Sequence, residues 1–511
     1  MTLARTRCVG LDGLGGTLVE VEADLGSGIP GFIILGLPDA SLREARERIK
    51  SAARNCGIPL ANRKLTVNLS PATVQKYGSG FDLAIVLAAL GADQQIRPCA
   101  RTVYLAELGL DGSLRPIPGI LPAMLVAMAA GATSFLVSQA NEAEANLVPG
   151  AQVRSAAHLT QVLELFGAPA ERLRPSLRHA ARTEDQAPPI PPPPDLAEVN
   201  GQHEARWALE VAAVGGHHLL MTGPAGAGKT LLARCLPGIL PPLEAQHALE
   251  VAAIRSLTAN GPAPVTGLDS QPPFIAPHHT SSTASLLGGG TRQVKLGAVT
   301  RAHRGILFLD EAPEFSSGVL DALRQPLEDG EVCVARARIN ARLPARFQLV
   351  LAANPCPCGR NYGSGSGCDC TPMQRRRYFT RLSGPILDRI DLQLAITPVS
   401  ASQILGRQRN EPSSQVRARV LAARERTRGR LAAWGISCNA GVPGSILRHQ
   451  LDYAPGTMGH LRNLAVRAEL SARGIDRVLR VAWSISDLNQ HPAPTTEDLD
   501  LAVYLRQNIE S

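Results

Sequence analysis

Lysine is scarce in this chain: only five of its 52 basic residues are lysines (Lys50, Lys64, Lys76, Lys229 and Lys295), and the other 47 are arginines. Aromatic residues make up only 4%. The basic segments therefore lack a series of aromatic platforms, and base stacking is not indicated as a way of holding nucleic acid. Ten cysteines in 511 residues are too few for a disulfide scaffold, and four of them cluster as metal ligands do, so a reducing cytoplasm is the expected compartment. Long hydrophobic runs are also missing. The opening MTLARTRCVGLDG has no apolar core of the kind a signal peptide carries. The longest uncharged apolar run near the front, Leu83–Ala92, is far too short to cross a bilayer, so no membrane partner is expected.

Basic residues exceed acidic ones, with a formal net charge of +8 and a pI near 9.1. An anionic partner such as nucleic acid fits that balance better than a membrane does. The bias to arginine and alanine is also what GC-rich coding yields, so charge alone carries little weight. The length allows two or three domains, each with a sizeable core.

The clearest boundary is APPIPPPP, Ala187–Pro194. Proline removes backbone donors and favours extended geometry, so this reads as a semi-rigid spacer. Before it, Leu18–Ala23, Lys64–Leu69 and Thr102–Leu105 read as strands, and Ser41–Cys56 and Phe81–Leu90 as helices. After it, His218–Thr222 is a buried strand entering a glycine-rich loop and then a helix. Gly305–Leu309 and Phe347–Ala353 are further apolar strands. Strands alternating with helices imply a parallel α/β sheet. Beyond about residue 400 a helical Ala/Arg/Leu pattern takes over. The expected division is 1–172 for the front domain, 173–197 for the linker, 198–400 for the core and 401–511 for a helical lid.

The segment Gly223, Pro224, Ala225, Gly226, Ala227, Gly228, Lys229, Thr230 matches the complete phosphate-loop pattern G-x-x-x-x-G-K-[ST]. Glycines let backbone N–H groups close around phosphates, and the following helix adds the positive end of its dipole. Lys229 is expected to reach the β- and γ-phosphates of ATP and Thr230 to ligate Mg²⁺. ILFLDE, Ile306–Glu311, is an apolar strand ending in two acids. Asp310 suits the Mg²⁺, and Glu311 suits the general base that polarises the attacking water.

Cys356, Cys358, Cys368 and Cys370 form C-x-C-x₉-C-x-C, two thiolate pairs closed by a Gly/Ser loop. Four such ligands can surround a structural Zn²⁺ and leave no open position for catalysis. The alternative is four reduced thiols in a loop. The helix expected over Val416–Arg430 carries six arginines, which read as a solvated lid face.

With these residues in place, the chain resembles the YifB/ComM family of Mg-chelatase-like AAA+ ATPases nearly end to end. The stretches that carry the resemblance are APHHTSSTASLLGGG (276–290), AHRGILFLDEAPEF (302–315), LEDGEV (327–332), LPARFQLVLAANPCPCG (343–359) and LSGPILDRIDL (382–392). The resemblance implies a Lon-protease-like α+β front domain, a P-loop AAA+ parallel α/β core and a helical C-terminal lid. It implies a homohexameric, ATP-dependent DNA translocase or helicase that promotes branch migration on single-stranded or branched DNA. Asn354 would be sensor 1, which positions the lytic water. Arg389 would be the arginine finger entering the neighbouring subunit's site, and Arg473 would be sensor 2, contacting the γ-phosphate from the lid.

Two inserts are implied as DNA-gripping pore loops. One is Ser285–Arg292, including Leu287, Gly288 and Gly289. The other is the hairpin around Val334–Arg342, where Arg336, Arg338 and Arg342 alternate with smaller residues and in a strand would share one face. Where the family carries Pro-Gly-Glu-Ile, this chain reads LGAVTRAH (296–303), with Ala298 in place of the acid. In the front domain the resemblance aligns Gly80 with the Lon serine and Leu121 with the Lon lysine, so proteolysis is not expected. Ser79 is adjacent but would need a base. Two other functions share the core: a metal-chelatase motor subunit and a protein-remodelling ATPase. The first lacks this front domain, and the chain has no D-x-S-x-S motif. The second is not separated from a DNA motor by its loops.

Overall fold

The computed structural model describes residues 3–36, 39–71, 79–174, 191–258, 265, 267–290, 295–336, 339–362, 367–382, 384–400, 410–467 and 469–507. Ala187–Ile190 of the expected linker, Ala401 at the expected start of the lid, and Arg338 and Arg292 of the two expected inserts lie outside these residues.

In the front part, strands β1 (Leu3–Asp12), β2 (Gly15–Gly26), β3 (Gly31–Leu35), β4 (Lys64–Ser70), β5 (Thr102–Leu105), β8 (Ser134–Ser138) and β9 (Gln152–Ala156) form one mixed sheet in the order β3-β4-β2-β1-β5-β8-β9. A short hairpin, β6 (Glu107–Leu108) with β7 (Leu114–Arg115), stands apart. β1 and β2 pair antiparallel from Leu3↔Asp24 to Asp12↔Gly15. Helix Asp82–Ala92 is buried on nearly every side, which suits its uninterrupted apolar sequence. All three strands and both helices read from the sequence in this part are present, each within a few residues of its expected limits.

The core sheet has five parallel strands: β10 (Leu219–Thr222), β11 (Phe274–Ile275), β14 (Ile306–Leu309), β17 (Gln348–Ala353) and β18 (Leu392–Ala395), in the order β11-β14-β17-β10-β18. Parallel strands covered on both faces need apolar residues at successive positions. Leu219, Met221, Ile306, Phe308, Val350 and Ala352 pack on one face, in a core shared with the C-terminal helices. Leu220, Leu307, Leu309, Leu349 and Leu351 pack on the other. Two small ladders complete the core: β12 (Gly288–Gly289) with β13 (Lys295–Leu296), and the hairpin β15 (Glu331–Arg336) with β16 (Ile339–Pro344).

After residue 410 the described residues contain helices and no strands. Helices Ser413–Leu431 and Ala472–Asn489 pack against His203–Gly215 and so close one face of the sheet. The end of the proline-rich segment is tied to them, because Leu196 N donates to Ser413 Oγ at 2.7 Å and Ser413 N to Asp195 Oδ1 at 2.9 Å. The front sheet meets the core through Ile120–Ala129 against Ala245–Thr258, with Ala252 and Ala253 inside a shared apolar cluster and Gly119 N bonded to Ser256 O. Among the described residues no helix is long and apolar enough to cross a membrane.

Candidate active site

Parallel registration brings the ends of three strands to one edge of the sheet. Thr222 pairs with Ala353, and Leu309 with Leu351, so the residues that follow, Gly223, Asn354 and Asp310, emerge together. This carboxyl edge of a parallel sheet is where ligands bind in such folds. The loop after β10 turns through Gly226 (φ +77°) and Gly228 (φ +91°), and a Cβ at either position would meet nothing within 4 Å. The glycines are therefore required by backbone conformation, and they leave an open cradle in front of helix Lys229–Ile239.

Lys229 is buried at 8% exposure. Its Nζ donates to Gly223 O at 2.5 Å, Pro224 O at 2.9 Å and Asn354 Oδ1 at 3.2 Å. Burial pulls its pKa down, and the nearby charges of Asp310 and Glu311 oppose that fall. Thr230 Oγ1 donates to Asp310 Oδ2 at 2.8 Å, so a hydroxyl and a carboxylate, the hard oxygen donors that Mg²⁺ prefers, converge at the loop. Glu311 adopts left-handed backbone, φ +51°, at a cost of about 1–2 kcal/mol for a residue with a Cβ. Strain of this kind persists where the surroundings fix it, and here the exposed carboxylate faces His279 while the backbone N–H donates to Asp310 Oδ1 at 3.0 Å.

Sequence reading assigned no role to His279. Its Nδ1 lies 3.4 Å from Glu311 Oε2, and its ring lies tilted against that of His278, 4.1 Å between centroids. The signal was the paired histidines in APHHTSS. Gln202 was also missed: its Nε2 donates to Ala227 O in the phosphate loop and to Thr397 O. It borders a cavity of about 220 Å³ lined by Gln202–Ala205 and Leu394–Val399.

Arg389 and Arg473 do not join this group. Arg389 is ion-paired with Glu328 and donates to Pro385 O at 2.5 Å. Its pKa is lowered by burial first and then by the charges of Arg473 and Arg324, and it sits where the chain enters β18, at the sheet edge opposite the phosphate loop. Glu328 and Arg324 were not picked out from the sequence.

The hairpin expected around Val334–Arg342 is formed, but its register pairs Arg336 with Ile339 and Cys333 with Arg342. The arginine run is thus divided between two strands. Arg336 and Arg342 stand on different strands, and the single-strand face expected for the three arginines is not made. Arg342 is exposed, 3.7 Å from Glu331. In the other insert, Leu287 ends helix Thr283–Leu287, and Gly288 and Gly289 form β12. Gly288 has φ +103°, and a Cβ there would come within 2.8 Å of Lys295 O. Ala298 opens a short buried helix, Ala298–Arg301. Of the six arginines expected on a solvated lid face, Arg419, Arg424, Arg426, Arg428 and Arg430 instead reach partners in the core or lid, among them Glu210, Ala213 O, Glu244 and Asp487.

The four cysteine sulfurs all lie within 4.8 Å of one another. Cys356 Sγ is 3.3 Å from Cys358 Sγ and 3.7 Å from Cys368 Sγ, and Cys358 to Cys368 is 3.7 Å. Zinc–thiolate bonds of about 2.3 Å in a tetrahedron give sulfur–sulfur edges of about 3.8 Å, so the donor set fits zinc in both number and size. Thr371 then caps helix Pro372–Phe379, whose Tyr378 hydroxyl bonds the Asn354 backbone. In the front sheet Ser79 Oγ donates to Glu107 rather than to a lysine, and a Cβ on Gly80 would meet Ile117 at 3.4 Å.

A phosphate loop leaving the second strand in from one edge of a five-stranded parallel sheet, with acids and an amide on the strands beside it and a helical unit closing one face, is the AAA+ arrangement, and the chain is an AAA+ ATPase of Mg-chelatase type. Residues 195–404 match the family described as Magnesium chelatase, subunit ChlI, residues 21–141 match Subunit ChlI of Mg-chelatase, and residues 410–506 match Magnesium chelatase, subunit ChlI C-terminal. An uncharacterized protein of Mycobacterium tuberculosis strain H37Rv is 46% identical over 514 residues, covering 99% of each chain. The uncharacterized protein YifB of Escherichia coli K12 is 38% identical over 501 residues, 97% of this chain and 95% of that one. Competence protein ComM of Haemophilus influenzae is 37% identical over 487 residues, 93% and 92% of the two chains. The chain belongs to the YifB/ComM family of Mg-chelatase-like AAA+ ATPases.

Proposed function

We propose that this ATPase is a DNA translocase that drives branch migration as a ring, most simply a homohexamer, with each ATP site completed by the next subunit. The observation that carries the ring is the division of the site. Lys229, Thr230, Asp310, Glu311 and Asn354 converge, while Arg389 pairs with Glu328 and stands with Arg473 apart from them. The units are a front domain (1–172), a core (198–400) and a lid (401–511), and the reducing cytoplasm is the compartment. Lys229 and the loop N–H groups hold the phosphates, and the cavity beside Gln202 receives the nucleoside end. Thr230 and Asp310 hold Mg²⁺, which when bound neutralises charge on the phosphate oxygens. Glu311 takes the proton of the attacking water, Asn354 orients that water, and the neighbour's Arg389 and Arg473 meet the charge that spreads onto the transferred group.

DNA as the polymer is supported by the relative named a competence protein and by the arginines of the 331–344 hairpin. Phosphate contacts hold without reading sequence, as a motor that moves along any DNA requires. The test is a labelled four-way junction with ATP, alongside the Glu311→Gln variant. The wild type is expected to move the junction and the variant only to bind it. Arg336→Ala with Arg338→Ala is expected to weaken junction binding and to lower the slope of log affinity against log salt by roughly 2, about one unit per lost phosphate contact. Wild-type protein that moves no junction and binds it no better than the double variant would turn the assignment to protein remodelling.

The thiolate cluster is assigned to one structural Zn²⁺, which ties the loop after Asn354 to helix Pro372–Phe379. Purified protein is expected to carry about one zinc per chain. Cys356→Ser with Cys358→Ser is expected to lose it and to make the segment from Asn354 to Tyr378 susceptible to proteolysis. Substoichiometric zinc in protein prepared under full reduction would remove the assignment.

A further inference from the structure

Asp391 lies just before β18 and is 4% exposed. No role was read for it from the sequence, yet two elements reach its carboxylate and a third reaches the residue before it. His217, which precedes β10, places Nδ1 3.2 Å from Asp391 Oδ2 and Nε2 2.7 Å from Ser484 Oγ on lid helix Ala472–Asn489. Arg477 of the same helix places Nε 3.7 Å from Asp391 Oδ1. Arg506, from lid helix Thr496–Gln507, donates to Ile390 O at 3.4 Å. Burial alone would raise the Asp391 carboxyl, but the bond to His217 and the charges of His217, His218 and Arg477 outweigh it and hold it well below the usual carboxylate range. The chain of polar contacts continues through the lid: Asn439 Nδ2 donates to Ser484 Oγ at 3.1 Å and to Asp487 Oδ2 at 3.0 Å, and Arg430 forks onto Asp487 at 2.6 and 2.7 Å. Gly215 leaves room for the first link, because a Cβ there would come within 1.9 Å of His217 Nε2 and 2.4 Å of Ser484 Oγ.

The two ends of this clamp sit next to the two arginines. Arg389 is two positions before Asp391, in the turn entering β18. Arg473 is one helical turn before Arg477, on the same face of its helix. Arg389 and Arg473 therefore ride on two segments that the buried Asp391 carboxylate and its partners join, through Arg477 directly and through His217 and Ser484. We propose that Asp391, with His217, Ser484 and Arg477, acts as a positioning cluster: it locks the lid helix to the finger turn, so that Arg389 and Arg473 are presented as one pre-spaced cationic pair to the neighbouring subunit's triphosphate. This rests on the reading of Arg389 as a residue acting across the subunit boundary. Locking the pair in advance removes the cost of gathering two like charges at each turnover, which is what preorganised transition-state stabilisation requires.

The test is ATPase kinetics and binding of a fluorescent ATP analogue for Asp391→Asn, Arg389→Ala and the double variant, with assembly checked by size. Asp391→Asn is expected to leave nucleotide affinity in place and to lower kcat roughly tenfold to a hundredfold, as misplacement of catalytic groups does. In the Arg389→Ala background it is expected to cost clearly less than in the wild type, because only Arg473 is left for the cluster to position. Arg477→Lys is expected to retain more turnover than Arg477→Gln. Should Asp391→Asn fail to fold, Ser484→Ala, which removes the far link without leaving a buried charge, is expected to show the same kcat loss at unchanged affinity. An inactive Arg389→Ala beside a fully active Asp391→Asn or Ser484→Ala overturns the positioning role alone, as does a kcat loss from Asp391→Asn that is as large in the Arg389→Ala background as in the wild type. An Arg389→Ala protein with wild-type kcat overturns the finger assignment, and the clamp's role with it.

Discussion

Glu311→Gln is expected to bind ATP with near wild-type affinity and to hydrolyse it roughly 10²–10⁴-fold more slowly, the range that general-base catalysis supplies. The substitution isolates the carboxylate. Glutamine has the same length, and it meets the same left-handed backbone at φ +51°, so strain at the site is unchanged. It cannot accept the water's proton, and it exchanges the charge facing His279 at 3.4 Å for an amide. Asp310 stays with Thr230, so the magnesium donors remain. Lys229→Ala should act one step earlier, by abolishing nucleotide binding. That lysine is the buried cation of the loop, held by Gly223 O and Pro224 O beside the strand ends, and it is the cation expected to meet the phosphates. Equilibrium binding of a fluorescent ATP analogue beside single-turnover hydrolysis separates the two variants. Wild-type turnover by Glu311→Gln would show that another group is the base.

The residues that are easiest to read from sequence are those whose chemistry depends on local backbone. The phosphate loop needs glycines with positive φ directly between a strand and a helix, and that need leaves a contiguous pattern. β10, β14 and β17 show because both faces are buried, which forces three to five apolar residues in a row. β1 is harder to see: Arg5 and Arg7 interrupt LARTRCVGLD, and their tolerance there depends on the neighbouring strand, where Arg5 reaches Glu20 and Glu22 at 3.2 and 2.9 Å. The arginines of the 334–342 hairpin were expected on one face because the run contains no glycine, proline or asparagine–glycine pair to show where its two strands divide. Contacts made only by tertiary folding leave no such trace. His279 beside Glu311, Gln202 beside Ala227 and Arg477 beside Asp391 each join segments far apart in the chain. With arginine so abundant, spacing alone cannot single out Arg477 from the arginines that make ordinary ion pairs, nor show that five of the six on helix Ser413–Leu431 are engaged with core and lid.

Arg389→Ala should lower turnover by roughly 10³–10⁵, the span measured for arginines that complete a neighbouring phosphoryl-transfer site, and the loss should be repairable by another inactive subunit. An Arg389→Ala subunit keeps Lys229, Thr230, Asp310 and Glu311, so its own half-site still binds and positions ATP. A Lys229→Ala subunit cannot hold ATP but keeps Arg389, placed with Arg473 and tied to Glu328. A ring of either subunit alone contains no complete site. In a head-to-tail ring assembled at random from equal amounts of both, about one interface in four joins an intact phosphate loop to an intact arginine. Mixing should therefore restore a measurable fraction of wild-type ATPase that peaks near equal proportions and vanishes at either extreme. If instead the arginine served its own chain's nucleotide, every subunit in the mixture would lack one essential group and no ratio would recover activity. Measuring ATPase across mixing ratios, after unfolding and reassembly to scramble the subunits, decides between the two. A flat, inactive profile over rings of normal size would refute the shared site.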